Sequence, residues 1–472
     1  MTMIKGRLWS RLYLLLWLML PATSLLAQKK YTLSAIQAVD YALKNVTEIR
    51  NLEIDKKIQQ ARNNEIQGQA MPQITGNVGF QHFFSIPTTL LPDFISPSVY
   101  SVLEKEGVKN GSGTVVTQPT AAPQFFPAQF GVPWQASAGF AFQQLLFQSD
   151  VFVGLQARKT AMKYADLNIK AMEDSVRSNV LRSYYAVLIA EKRSRFLDEG
   201  VTRLSKLSYD QQQLYKNGFA EHLDIDRTQV TLNNLKSTQI QVRNFIQLGY
   251  ASLKFAIGID QMDYLSLTDS LSVDIIKQNI LDTTGFHYTD RNEIKILNTV
   301  VELQQLDLKR YKLAYIPTVA AYWNYSKSAQ RNSFDFLDFS KKWYNSNVAG
   351  VSVSVPLFDG FQKARRIEQS TLSLQKVQNT LKNVERVIDL QKQIAYDLFR
   401  NSISTLDIQE RNLELAAKVY TTTKKKYEQG LGSSFEVLQT EQSYEDAQSN
   451  YFQSLYDAVI AKISYQRAIG KL

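Results

Sequence analysis

Four short stretches of the chain alternate apolar and polar residues with period two, and between and after them run helical patterns of unusual length. In Gln73 to Phe84 one parity carries Ile74, Gly76, Val78, Phe80, His82 and Phe84. The other carries Gln73, Thr75, Asn77, Gly79 and Gln81. Trp134 to Gln143 sets Trp134, Ala136, Ala138, Phe140 and Phe142 against Gln135, Ser137, Gly139, Ala141 and Gln143. Further on, Val319, Ala321, Trp323 and Tyr325 oppose Thr318, Ala320, Tyr322 and Asn324, and Ala349, Val351, Val353 and Val355 oppose Gly350, Ser352 and Ser354. Alternation of this kind predicts strands with one apolar face, at about 73–84, 134–146, 317–327 and 347–356. Pro72 and Pro317 mark two strand starts and Pro356 one strand end. Each strand has about the 9–11 residues that a tilted strand needs to cross a bilayer.

Long helices are predicted over 150–216 and 360–429, each about 100 Å at 1.5 Å per residue, with shorter ones over 221–258 and 433–470. Only Gly154 and Gly200 interrupt the first. In the second, Val377, Leu381, Val384 and Ile388 step by four, three and four, as a coiled-coil seam does. Val387, Leu390, Ile394 and Leu398 form another stripe about 100° round the helix, which suggests two neighbours, as in a wall of helices, although these helices alone favour an ordinary antiparallel coiled coil.

The elements occur twice. Thr47-Glu48-Ile49 and Pro72 match Asn292-Glu293-Ile294 and Pro317 at an offset of 245, and Tyr185 matches Tyr396 at 211. Gly218 and Ala256-Ile257-Gly258 match Gly430 and Ala468-Ile469-Gly470 at 212. A first repeat over 28–258 and a second over 288–472 are therefore expected, joined by 259–287. Each repeat contains the turn Tyr-x-x-Gly, at Tyr215–Gly218 and Tyr427–Gly430. A left-handed glycine there ends one helix. Ser433 or Ser434 then caps the next, with Glu436, or Asp224 in the first repeat, near its positive end.

Composition narrows the function. Residues 1–27 read as a secretory signal peptide, with Lys5, Arg7 and Arg11 ahead of a short apolar core. Removing its three basic residues lowers the formal charge from +10 to +7. The remaining Lys and Arg are interleaved with acidic residues along helices, which argues against nucleic-acid binding. There is no cysteine, so disulfides and thiolate chemistry are excluded. No P-loop, nucleophile elbow or HExxH motif occurs, and His82, His222 and His287 share no ligand spacing. No enzyme, cofactor or metal site is expected. Four membrane strands cannot close alone, because barrels start at about eight strands and unpaired backbone is costly in lipid. A dimer with eight strands and a trimer with twelve both satisfy this.

The duplicated halves, the strands opening at Pro72 and Pro317, "VPLFDGFQKARR" at 355–366 and "YEQGLGSSFEVLQTEQSYEDAQSNYFQSLYDAVIAKISYQRAIG" at 427–470 together resemble the TolC-like outer membrane efflux family. The resemblance spans essentially the whole mature chain. It implies a membrane β-barrel plus a long α-helical barrel, built by a homotrimer with twelve strands in outer-membrane lipid and a twelve-helix periplasmic tunnel. It further implies that hairpin tips at Tyr215, Gly218, Tyr427 and Gly430 dock a periplasmic adaptor protein, with an inner-membrane transporter supplying energy. Asp224 and Glu436 would then line the aperture. Relatives carry a second acidic position one turn later, where this chain has Arg227 and Gln439, so a less negative aperture is expected. The implied function is the exit duct of a tripartite efflux pump for small molecules. A type I protein secretion duct is the alternative, and an exported structural or adhesive coiled-coil protein a remoter one. Ser85 to Pro133 is expected to be a long apolar extracellular loop, and 259–287 part of a belt around the tunnel.

Overall fold

A computed structural model of the protein describes residues 29–119, 125–270, 285–338 and 340–472. The expected signal peptide lies outside these residues, as does 271–284 of the expected connector. In chain order the elements are β1 (Lys30–Leu33), α1 (Ala35–Asn45), α2 (Thr47–Gln69), β2 (Gln73–His82), β3 (Thr88–Pro92), α3 (Ile95–Lys105), β4 (Phe125–Gln129) and β5 (Trp134–Phe147). Then follow α4 (Ser149–Lys216), α5 (His222–Ile257), β6 (Tyr264–Leu267), α6 (Asn292–Leu313), β7 (Thr318–Arg331), β8 (Tyr344–Ser354), α7 (Gln362–Glu428) and α8 (Ser434–Ala468).

The chain divides into two compact units. One comprises Gln60–Lys159 and Glu302–Leu374 and holds an antiparallel sheet of order β2-β5-β7-β8. Its register puts the expected apolar parities on one face. Ile74 lies beside Phe142, Phe142 beside Trp323 and Trp323 beside Ala349, and one step along the strands Gly76, Phe140, Tyr325 and Asn347 form the next row. The opposite face carries rows such as Asn77, Gly139, Ser326 and Ser346. Ile74, Val78, Phe140, Val351 and Val353 are exposed, so among the described residues this face is uncovered except at the end where Phe336 buries Ala136 and Ala329. Strands β2 and β8 each pair on one side only.

Three expectations need correction here. Strand β7 runs to Arg331 and β8 begins at Tyr344, so the second loop is shorter than expected, while β8 stops at Ser354, before Pro356. The segment Ser85 to Pro133 is not simply a loop. It contains α3 and a hairpin in which Leu90 pairs with Pro127 and Pro92 with Phe125. The prolines hid these strands, since proline is tolerated only where its missing N–H is not needed, as at an edge.

The second unit comprises the residues up to Gln59, Thr160–Val301 and Gln375–Leu472. Ala38, Val39, Ala42, Val180, Tyr184, Leu253 and Ile257 bury α1 against α4 and α5. Strands β1 and β6, which the sequence does not announce, pair in parallel from Lys30–Tyr264 to Leu33–Leu267. Leu197, Leu204, Leu232 and Leu235 join α4 to α5, while Ile189, Leu406, Phe452 and Leu455 join α4, α7 and α8. On α7 the seam is covered as expected, with Ile388 buried. The second stripe is not, and Leu390 is 60% exposed.

Candidate functional site

The paired helical hairpin tips have the same backbone. At the first, the Gly218 N–H donates to the Tyr215 carbonyl at 3.0 Å and the Phe219 N–H to the Leu214 carbonyl at 2.9 Å. At the second, Gly430 donates to Tyr427 at 3.0 Å and Leu431 to Lys426 at 2.9 Å. Gly218 and Gly430 have φ of 77° and 75°. These paired bonds satisfy helix-terminal carbonyls and require a left-handed residue, which glycine adopts without Cβ strain. The repeated Tyr-x-x-Gly is thus a helix-stop signal read twice. The residues that follow the glycines, Phe219 and Leu431, are 79% and 76% exposed.

Just beyond each turn a helix restarts. The Ser433 hydroxyl caps α8, accepting the Glu436 N–H at 3.2 Å, so Ser433 and not Ser434 is the cap. At α5 the corresponding residue is Glu221, whose side chain makes no cap bond. Asp224 and Glu436 occupy the same third position of their helices, where a carboxylate complements the exposed N–H groups. Their surroundings differ. The Arg227 guanidinium lies 4.0 Å from Asp224 and 5.4 Å over the Phe435 ring, tying the start of α5 to the start of α8. Burial, followed by the charges of Asp224 and Asp210, raises the pKa of Tyr427. The structure therefore brings Asp224, Arg227 and Phe435 together, and leaves Glu436 and Gln439 exposed on α8. Tyr215 packs edge-on against His222 at 5.4 Å. Pro72 and Pro317 immediately precede β2 and β7, outside this cluster.

About three to four helical turns from the tips lies a group that the sequence reading missed. Glu441 on α8 is 0% exposed and accepts from Arg203 Nη2 at 2.9 Å and from Nε at 3.1 Å. The Arg203 guanidinium lies 5.7 Å over the Tyr420 ring and 5.2 Å over that of Tyr444, so α4, α7 and α8 meet at one cation. Gly200 makes room for it. A Cβ there would meet Leu235 Cδ2 at 3.0 Å, Arg203 Nη2 at 3.4 Å and Glu445 Oε1 at 3.5 Å. The signal was present in the sequence: Glu441 follows Val437 by four residues and Leu438 by three, on the buried stripe of α8.

Glu445, one turn further on, lines a cavity of about 210 Å³ with Gln448, Arg193 and Phe196. Burial, and then the Glu441 charge, push its carboxyl up to about 7, against the opposing pull of Arg203 and with a small push from Asp446. A carboxyl raised in the folded state binds a proton that the unfolded chain has released from about pH 4.5 upward. Its contribution is therefore complete at low pH and lost as pH rises through about 7. We expect Glu445→Gln to flatten this part of the stability–pH curve between about pH 4.5 and 7 by 1–2 kcal/mol, after allowance for partial exposure. Urea unfolding of the two proteins across that range measures the difference.

Comparison with known proteins agrees with this architecture. Residues 303–471 match the family described as outer membrane efflux protein. Outer membrane protein TolC of Vibrio cholerae is 19% identical over 340 residues, covering 71% of this chain and 77% of its own. Alkaline protease secretion protein AprF of Pseudomonas aeruginosa is 20% identical over 331 residues, 68% and 66% of the two chains. Among solved structures, CusC superposes with a TM-score of 0.70 at 13% identity, covering 92% of each chain. The Campylobacter jejuni CmeC outer membrane channel superposes with a TM-score of 0.69 at 13% identity, over 93% of this chain and 85% of that one. The strands and paired long helices share the fold of these solved channels. Residues 303–471 thus carry the outer membrane efflux protein pattern, and the chain as a whole is similar in sequence to TolC and in fold to these channels.

Proposed function

We propose that three copies of this chain form the outer-membrane exit duct of a tripartite efflux pump. The observation that carries the reading is the four-stranded sheet, which has one uncovered apolar face and two unpaired edges. Such a sheet is stable in lipid only if β8 of one copy pairs with β2 of the next until the ring closes. Twelve strands pass the eight-strand minimum, and three is the number the family resemblance implies. The exposed α7 stripe supplies a matching contact between helices of adjacent copies. The inward face, with its Thr, Asn, Gln and Ser rows, suits a water-filled bore.

In this assembly the tips carrying Tyr215, Gly218, Tyr427 and Gly430 dock a periplasmic adaptor, with Phe219 and Leu431 as apolar contacts, and an inner-membrane transporter supplies the energy. Asp224, Arg227, Glu436 and Gln439 line the aperture. Because Arg227 offsets Asp224, Glu436 is the main source of negative potential there. The expected result is that Glu436→Gln lowers the cation-to-anion permeability ratio several-fold in planar bilayers, while Asp224→Asn changes it little. An unchanged ratio in the Glu436 variant takes that residue out of the aperture.

Export of proteins is the second reading, supported by the similarity to the protease secretion proteins AprF and PrtF. Native mass of the protein extracted from outer membranes in mild detergent tests the duct itself. Three chains per particle support it, and a soluble or single-chain species overturns it.

A further inference from the structure

The cavity beside Glu445 has walls of two kinds. Phe196 and Leu197 of α4, Leu235 of α5 and Phe452 of α8 give it apolar sides, with the Phe196 and Phe452 rings 5.3 Å apart. Arg193, Glu445, Gln448 and Ser449 add polar atoms. The last three and Phe452 follow one another along α8 at steps of three and four, so they share one helix face. All of these residues belong to the helical unit.

Three of the polar groups are unanswered within the chain. Gln448 is 4% exposed, and its buried Nε2 makes no hydrogen bond among the described residues. Glu445 Oε1 is likewise buried without a partner. Arg193 donates from Nη2 to the Ser449 hydroxyl at 3.1 Å, but no carboxylate among the described residues pairs with it. The neighbouring charges are occupied. Glu441 is held by Arg203, which Tyr420 of α7 covers, and Asp446 accepts from Gln442 at 3.2 Å. Asp198 pairs with Arg243 at 2.9 Å, and α5 lines the cavity only with Leu235 and Thr238. Buried polar groups are nearly always hydrogen-bonded, so the unanswered set marks a place suited to a polar guest.

The set consists of donors. Arg193 and Gln448 donate at any pH, and the Glu445 carboxyl, raised to about 7 by burial and then by the Glu441 charge, donates while it is protonated. One unmatched guanidinium calls for one negative charge, and a dianion would be opposed by Glu441 and Asp446. The Cβ atoms of Glu445 and Ser449, one turn apart on the same face, are separated by about 5–6 Å. A carboxylate can bridge that span, one oxygen toward Arg193 and Gln448 and the other toward Glu445. An engineered cavity of about 150 Å³ takes up benzene. The present one, at about 210 Å³, has room for one ring and its carboxylate.

We propose that this cavity binds a small monocarboxylic acid with a compact apolar body, its carboxylate held by Arg193 and Gln448 and hydrogen-bonded by Glu445. The apolar body lies between Phe196, Leu235 and Phe452, so the guest joins α4, α5 and α8. The site is built within one chain and does not depend on the number of copies in the duct.

The test offers benzoate, or uncharged benzamide of the same shape, to the full-length protein extracted in mild detergent, with binding read by titration calorimetry. Benzoate is expected to bind at least tenfold more tightly than benzamide at about pH 6. Because only protonated Glu445 donates, benzoate affinity should fall about tenfold between about pH 6 and about pH 8. Glu445→Gln keeps a donor at every pH, so its benzoate affinity should be the same at both. Arg193→Gln should lose benzoate binding at both, with an unchanged helical circular dichroism spectrum. Equal affinity for benzoate and benzamide overturns the proposal. So does a pH dependence that persists in Glu445→Gln, or no binding at all, the behaviour of a cavity that takes up water only.

Discussion

If the proposed trimer is right, a chain carrying Leu390→Glu and Ile394→Glu is expected to reach the outer membrane fraction poorly and, once extracted, to run as single chains. Both side chains lie on the exposed stripe of α7, beside a seam already covered within the chain. Burying such a residue at an interface contributes about 1.5–3 kcal/mol. Three interfaces with two residues each therefore lose on the order of 10 kcal/mol of apolar contact, before the repulsion of six added carboxylates. Native mass in detergent reads the outcome directly. A trimer of unchanged stability would mean that this face of α7 meets water in the assembly.

The second large effect is expected at Glu441. Removing its carboxylate leaves the Arg203 guanidinium without its hydrogen-bonded partner, between two aromatic faces and near the Glu445 carboxyl, in a largely buried place. Breaking one side of a buried ion pair typically costs about 3–5 kcal/mol. Glu441→Ala should thus lower the urea midpoint of the helical signal markedly. The double variant Arg203→Met/Glu441→Leu should recover most of the loss, since apolar replacements of a buried pair are often neutral or better. Glu441→Ala should also bring the Glu445 carboxyl back toward its ordinary range, because the neighbouring charge is, after burial, the larger of the causes that raise it. If single and double variants unfold alike, the pair makes no net contribution and Gly200 serves packing alone.

The parts of this fold legible in the sequence are those whose information is local and repeated. Alternation located four strands, and their rows fall on one face as expected, because a parity error would invert every residue of a strand. Tyr-x-x-Gly located both tips, since a left-handed helix stop constrains a single position. Features set by distant partners were hidden. Strands β1 and β6 are four residues each and find one another across more than two hundred positions. The hairpin of β3 and β4 was masked by prolines that only an edge position tolerates. Within the candidate site, Asp224 and Glu436 were found through helix-start chemistry, but the contact of Arg227 with Phe435 depends on how two hairpins meet. Glu441 was visible as a carboxylate on an apolar stripe, yet its partner Arg203 lies 238 residues away.

The parallel pairing of β1 with β6 also sets an order of events. Leu33 sits beside Leu267, the Tyr184 hydroxyl donates to the Leu33 carbonyl at 3.1 Å, and Asp269 accepts from the Ala35 N–H at 2.8 Å. The first strand therefore has no sheet partner until residue 267 has crossed the inner membrane behind it. Closing so long a loop is slow and yields only four residues of pairing. For that interval the leading end of the chain carries an open strand edge, a surface ready to pair with another chain. A chain stopped before Tyr264 would stay in that condition indefinitely.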